Sequence, residues 1–483
     1  MQGSLRLAAL ALVVATQAPP SGIRLVQVSV VVHDGRHQPV EGLTARDFQL
    51  LEDGTEVPVS LVDLHAEAGD TVGDTNGIFT NHVRRPARGG VVALVFDRLN
   101  TTLDYQSLAR DEIVKRLALL DPDDRVALYL LGPDGIQVLH DFTADARPLI
   151  AALRRATARP SSAAQEGTPE PVGVRETLDA QIEAFVNGGL RTAPALYQRT
   201  RTYSGIKGLE EVAEHLAGVP GRKNLVWLSS SLPFTLDEAA TVLNDSDIAV
   251  YSVTVRGVDS AVENPAGGLA PIAEWTGGRA YETTNDLGDA IRAAVDDSRM
   301  SYVLSYQPAP GAADGTFRPI AVSVRRPGVT VRHRTGHFST SSGRSTAAMA
   351  TQEIVEALDS PLECTEMPLV VGARLDESGH HVLTLQIDGG GLTLKRYGDR
   401  WSGSFDVTVA QTLATGEHVR EADVTVPLSF PDAMRDEFLE DGMAVTRTIT
   451  LRPDAHQVRV ITRDVASSAV GSVIIPAADL RKP

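Results

Sequence analysis

Residues Val91 to Leu131 read VVALVFDRLNTTLDYQSLARDEIVKRLALLDPDDRVALYLL. The run Val91–Phe96 is apolar without interruption, as a strand covered on both faces of a parallel sheet must be. Helical spacing follows over 104–120, carried by Leu108, Ile113, Leu117 and Leu120. Asp121-Pro122-Asp123-Asp124 ends it, and Val126–Leu131 is a second apolar run. Strand, helix and strand in that order predict a βαβ unit.

The alternation continues outward. Val138–Phe142 predicts a shorter strand, and Leu149–Leu153 starts another helix. Residues 157–173, rich in Pro, Ser, Ala and Gly, predict an inserted loop. Helical spacing returns at Leu178, Ile182 and Phe185, and again at Leu209, Val212 and Leu216. Leu225–Leu228 and Ile248–Val255 are further buried strands with a helix near Leu236–Leu243 between them. Leu269–Trp275 and Leu287–Ala294 predict helices around a short edge strand, Arg279–Tyr281. Tyr302–Tyr306 and Ile320–Val324 alternate as strands. The expected centre is thus a doubly wound, mostly parallel α/β sheet over 90–337.

The flanks read differently. Over 23–65, Val26, Val28, Val30 and Val32 recur at the strand period. Asp34-Gly35 and Asp53-Gly54 are turn signals, giving a small β domain. Residues 66–89 and 338–350 lack periodicity and predict linkers. From 363 to 483 short strands separated by turn residues predict a β-sandwich-like domain.

Composition narrows the function. A chain of 483 residues holds about three domains. Its 62 acidic against 45 basic residues, a formal charge of −17, argue against a nucleic-acid partner, whose phosphates need a basic footprint. The single cysteine, Cys364, cannot form an internal disulfide and reads as a small buried apolar residue. Residues 1–18 have the layout of a signal peptide: Arg6, the apolar run LAALALVVA over 7–15, then small residues to Ala18. That run is shorter than the about 20 residues a membrane span needs. The chain is therefore expected outside the cytoplasm, periplasmic or extracellular, with no transmembrane span after cleavage.

Several stretches together resemble the von Willebrand factor A-type domain. More narrowly, they resemble the VWFA-related proteins exported by acidobacteria and similar bacteria. They are VVALVFDRLNT (91–101), DDRVALYLLG (123–132), GLEEVAEHLAGVPGRKNLVWLSSSLPF (208–234), TGGRAYETTNDLGDAIRAAVDDSRMSYVLSYQP (276–308) and RRPGVTVRHRTGHF (325–338). The N-terminal VHDGRHQPVEGLTARDFQLLEDGTEVPV (32–59) fits the same group. The resemblance covers about 25–337; the C-terminal region shares only general character.

The resemblance implies a Mg²⁺ site at the head of the sheet. Its pattern is Asp-x-Ser-x-Ser after the first strand, a Thr before a middle helix and a late Asp. Mg²⁺ takes hard oxygen ligands in an octahedron, and an open position would receive a partner's carboxylate. Here Asp97 and Thr101 stand at the first and third positions, Leu99 at the second. Thr202 is the middle Thr, and Ser229, Ser230 and Ser231 occupy the stretch where a late Asp belongs. The site is degenerate, so Mg²⁺ or Mn²⁺ is expected to bind weakly or not at all. The residue-level alternative for Asp97 is a buried carboxylate accepting N–H groups at the helix that follows.

Other chemical signals fall short. Ser204-Gly205-Ile206-Lys207 has Ser-x-x-Lys spacing without its partner motifs and reads as a helix N-cap. Asp388–Leu392 (DGGGL) is a turn, His380-His381 an exposed turn pair, and Arg222-Lys223 surface charge. The expected function is non-enzymatic protein binding or adhesion, with an unidentified partner. A scaffold or maturation factor for other envelope proteins is the alternative, and a hydrolase with an unrecognised site the second.

Overall fold

A computed structural model describes residues 26–36, 38–62, 77–82, 90–133, 135–156, 201–219, 222–231, 239, 242–243, 247–255, 269–308, 316–338 and 347–481. The expected signal peptide, the 157–173 insertion and the helical spacing at 178–185 lie outside these residues.

The central sheet has six strands in the order 279–281, 248–254, 223–229, 91–97, 125–132, 135–143. The first five are mutually parallel. Val91–Asp97 is buried at every residue, which explains its unbroken apolar run. Helices cover both faces. Residues 201–217 and Ala270–Trp275 pack on one core, with Trp227 and Leu99. Leu103–Leu117, Ala146–Arg155 and Leu287–Arg299 pack on the other.

Two central details differ from the sequence expectation. Gly135–Thr143 runs antiparallel to Arg125–Gly132, because only residues 133–134 separate them and no crossover helix fits. Leu108 faces solvent; Gln106, Ala109, Ile113 and Leu117 form the inner face of its helix instead.

The larger difference concerns what lies beside this sheet. Tyr302–Tyr306 pairs with Val26–Asp34 and Val59–Val62, and Phe317–Val324 pairs with Phe48–Glu52. The strands expected to close the α/β domain therefore complete the N-terminal antiparallel sheets, which share a core of Val28, Val30, Leu50, Leu304 and Ile320. The alternating burial of Phe317–Val324 suits a sheet covered on one face and not the doubly covered centre. Within this unit Asp53 and Gly54 have φ of 49° and 76°, the left-handed pair a two-residue hairpin requires.

The 66–89 stretch also holds a strand. Ile78–Thr80 pairs with Leu369–Leu375 in a C-terminal sheet, and the Asn81 amide donates to the carbonyls of Cys364 and Met367. Ala347–Asp359, overlapping the second expected linker, is a helix. Beyond it, two antiparallel sheets enclose one apolar core, including Leu369, Leu385, Phe405, Val458 and Val473. Among the described residues no helix is long and apolar enough to cross a membrane.

The N-terminal sheets are pinned to the centre by Asp297, at 1% exposure, on the Leu287–Arg299 helix. It receives Arg332 at 2.6 Å, the Tyr251 hydroxyl, and His33 at 3.2 Å. Arg222, expected as surface charge, is buried in the same joint and donates to the Gly277 carbonyl at 2.6 Å. Burial alone would raise the Asp297 pKa. The His33 contact and the charges of Arg332 and Arg222 outweigh it and bring the value to about 2.

Asp297→Ala strips a buried carboxylate from its cations and is expected to cost about 3–5 kcal/mol in denaturant unfolding. Because the folded value is depressed, the stabilisation is complete above 3.8 and is lost as pH falls through about 2. Unfolding midpoints of the natural protein and Asp297→Ala should therefore converge over that interval.

Candidate functional site at the head of the central sheet

The strand order reverses between Val91–Asp97 and Lys223–Ser229: the chain proceeds outward on opposite sides of this pair. Ligands of open α/β sheets bind at the carboxyl ends of strands at such a switch point. Asp97 and Ser229 end the two strands.

Asp97 is fully buried. Its Oδ1 accepts the Asn100 amide N–H at 2.9 Å. Its Oδ2 accepts the Asn100 side chain at 2.8 Å, the Ser229 hydroxyl at 2.8 Å and the Trp227 indole N–H at 3.4 Å. Burial pushes its pKa up, against the pull of Asn100, Ser229 and Trp227. The carboxylate closes the turn after its strand. The helix itself starts at Leu103 with Thr102 as its N-cap, so Asp97 does not cap it directly.

Thr101 is buried and donates its hydroxyl to the Asp97 carbonyl at 2.6 Å. Gln106, also buried, donates to the Thr101 carbonyl at 2.8 Å and fixes the loop from below. Leu99 points into the apolar core and brings no oxygen to the site. Thr202 is half-buried on the 201–217 helix. Its neighbour Arg201 turns inward: Nε donates to Asn100 Oδ1 at 2.8 Å and a terminal nitrogen to Ser231 Oγ at 3.3 Å. Ser229 Oγ also lies 2.7 Å from the Ser231 carbonyl, so one hydroxyl proton is shared between two acceptors. Ser230 donates to Val255.

Asp97 and Thr101 are thus brought together, and Arg201, next to Thr202 in sequence, is joined to them through Asn100. Asn100, Trp227 and Arg201 carry no motif of their own. Their one signal is position: Asn100 lies inside the Asp97–Thr101 stretch, and Arg201 precedes the Thr expected to face it. Among the described residues no group of three or more His, Cys, Asp or Glu side chains is arranged to hold a metal ion.

The other candidates fall elsewhere. Ser204 is inside the 201–217 helix, not at an N-cap, with its hydroxyl 3.4 Å from the Pro133 carbonyl. Lys207 lies 3.8 Å from Glu211 on the same helix. Cys364 is buried and burial drives its thiol up to about 12, which removes thiolate chemistry at neutral pH. His381 is a buried strand residue and not part of an exposed turn.

An open, doubly wound α/β sheet with a buried aspartate at its switch point defines the class of the central region. No family model matches the chain, and no curated protein matches it. Similar solved structures include a von Willebrand factor type A protein from Catenulispora acidiphila, at 10% identity over 71% of this chain and 82% of that one, with a TM-score of 0.29. They also include the pilus adhesin SpaC from Lactobacillus rhamnosus GG (9% identity, 89% of this chain and 57% of that one, TM-score 0.26). A third is the PilB minor pilin from Streptococcus sanguinis (12% identity, 43% and 60%, TM-score 0.28). The chain spans less than two thirds of the length of the adhesin and of the pilin.

Asp97→Ala leaves the Asn100 and Trp227 donors facing a void, at about 1–3 kcal/mol for each orphaned donor, while Ser229 keeps the Ser231 carbonyl. Denaturant unfolding is expected to show a loss of about 3 kcal/mol or more for Asp97→Ala. Ser229→Ala, which removes one donor and leaves the carboxylate its others, should lose about 1 kcal/mol.

Proposed function

We propose that the chain is an exported, non-enzymatic protein-binding or adhesion protein of the von Willebrand A type. In this reading the two β regions are sandwich-like flanking domains, and the partner docks by direct surface contacts at the carboxyl ends of the parallel strands. The observation that carries the proposal is the state of Asp97, whose two oxygens are spent on four protein donors.

A metal-bridged mechanism needs free oxygens on several residues at once. Leu99 brings none, and Arg201 delivers a guanidinium to Asn100 at the same place. A permanent internal cation in place of an exchangeable one organises the loop without a metal. The degenerate site is then a structural knot that shapes the docking loops. Export rests on the leader-like residues 1–18.

The test is the response to metal. A ligand that binds only the folded state stabilises it by about 2.7 kcal/mol at a hundredfold excess over Kd, which raises Tm by several degrees. Millimolar Mg²⁺ or Mn²⁺ is expected to leave the Tm of the full chain unchanged, for the natural protein and for Asp97→Ala alike. A metal-dependent rise abolished by Asp97→Ala would restore the metal-bridged mechanism. A partner recovered from envelope extract with the full chain should stay bound in a chelator.

A further inference from the structure

The 201–217 helix carries the central domain's contact with the C-terminal region. Gly218 donates its N–H to Thr365 Oγ1 at 2.7 Å, and that hydroxyl donates to the His215 carbonyl at 2.8 Å. The approach is close: a Cβ on Gly218 would lie 2.0 Å from the Thr365 carbonyl oxygen.

His215, buried at 2% exposure, sits in this joint. Its Nδ1 is 2.8 Å from the Glu363 carbonyl oxygen, and its Nε2 is 3.1 Å from Asp141 Oδ1. A main-chain carbonyl and a carboxylate can only accept. Both contacts are hydrogen bonds only when both ring nitrogens carry protons, so the geometry suits an imidazolium. Phe142 stacks on the ring at 5.9 Å, Tyr129 meets it edge-on at 6.0 Å, and the Tyr129 hydroxyl reaches Asp141 at 3.4 Å.

On the same helix, Glu214 faces Glu353 and Glu356 of the Ala347–Asp359 helix and Glu366 of the following loop. The four surround a cleft of about 100 Å³ that Cys364 also lines. Glu210 adds its charge from the helix itself. Of the nearby cations, one is held by a cleft glutamate and the other by main-chain carbonyls. Arg463 pairs with Glu353 and with Asp406, and Arg459 donates to the carbonyls of Leu358, Ser360 and Leu362. The Glu363 carboxylate accepts the Ile474 N–H at 2.6 Å.

We propose that this joint is a proton-operated latch: it is held shut while His215 is an imidazolium and Glu214 and Glu363 are protonated, and it loosens as these groups lose their protons.

The groups act in the same direction. Burial would lower the His215 value, but Asp141 and the Glu363 carbonyl raise it above 6.5. Its contribution is therefore complete below 6.5 and is lost as pH rises through the higher folded value. Glu214 has an exposed flank, yet desolvation of its carboxyl in the cleft, then Glu366 and Glu356, lift it to about 7. Burial lifts Glu363 to about 7 as well. Such groups carry no penalty below 4.5 and the whole of it above about 7. Asp141, whose value is lowered, opposes this only as pH falls below 3.8. The latch is tightest between 3.8 and 4.5 and loosens progressively as pH rises to about 7 and beyond.

Hydrogen exchange of the full chain, corrected for intrinsic rates and compared at about pH 5.5 and about pH 8, reads the joint directly. Segments 212–219 and 362–367 are expected to be at least about tenfold better protected at the lower pH, since each unit of raised pKa is a tenfold factor. Val91–Asp97 should not change. His215→Gln, which keeps a donor without the titration, should reduce the difference to the part that Glu214 and Glu363 carry. The double variant Glu214→Gln with Glu363→Gln should raise protection at the higher pH. Equal protection at both pH values would overturn the proposal. So would an undiminished difference in His215→Gln. If that variant does not fold, the double variant decides: higher protection supports the latch, and none refutes it.

Discussion

A carboxylate at the end of a completely buried strand must find hydrogen bonds without water. Val91–Asp97 is covered on both faces, so Asp97 has only protein to turn to. Asn100 returns to it with two donors, Ser229 reaches across from the neighbouring strand, and Trp227 comes from beneath. The turn after the strand closes on that one group, and Arg201 joins it at one remove through Asn100.

A second buried carboxylate joins the parts. Asp297 belongs to the central helix, but two of its partners, His33 and Arg332, belong to the N-terminal sheets. Those sheets are built from residues on both sides of the α/β region, so the central domain is inserted between the two halves of another unit. Residues 78–81 then reach forward into the C-terminal sheet. Three regions laid out in sequence as separate blocks are thereby interlocked by strands.

Much of this was legible in the chain. The apolar runs at 91–96, 126–131 and 248–255 are strands because nothing but a doubly covered parallel sheet tolerates them. Leu209, Val212 and Leu216 mark a helix face that is indeed buried. Asp97 and Thr101 were identifiable as a pair at the head of the sheet. Arg222 and Leu108 were misassigned for one shared reason: side-chain type predicts average burial, while the neighbours at each position decide the actual one.

What the sequence by itself determined is local: the periods of two and 3.6, the turn at Asp53-Gly54, and the alternation that makes a parallel sheet. Those depend on residues within a few positions of one another, where backbone geometry and side-chain type act directly. Tertiary structure alone decided which sheet the alternating strands of 302–338 join, that 78–80 crosses to the far region, and that Arg201, His215 and Asp297 stand where they do. Each of these involves at least one contact between residues more than a hundred positions apart. An alternating strand presents the same edge to any partner of matching length, so only the closing of a common core selects among them.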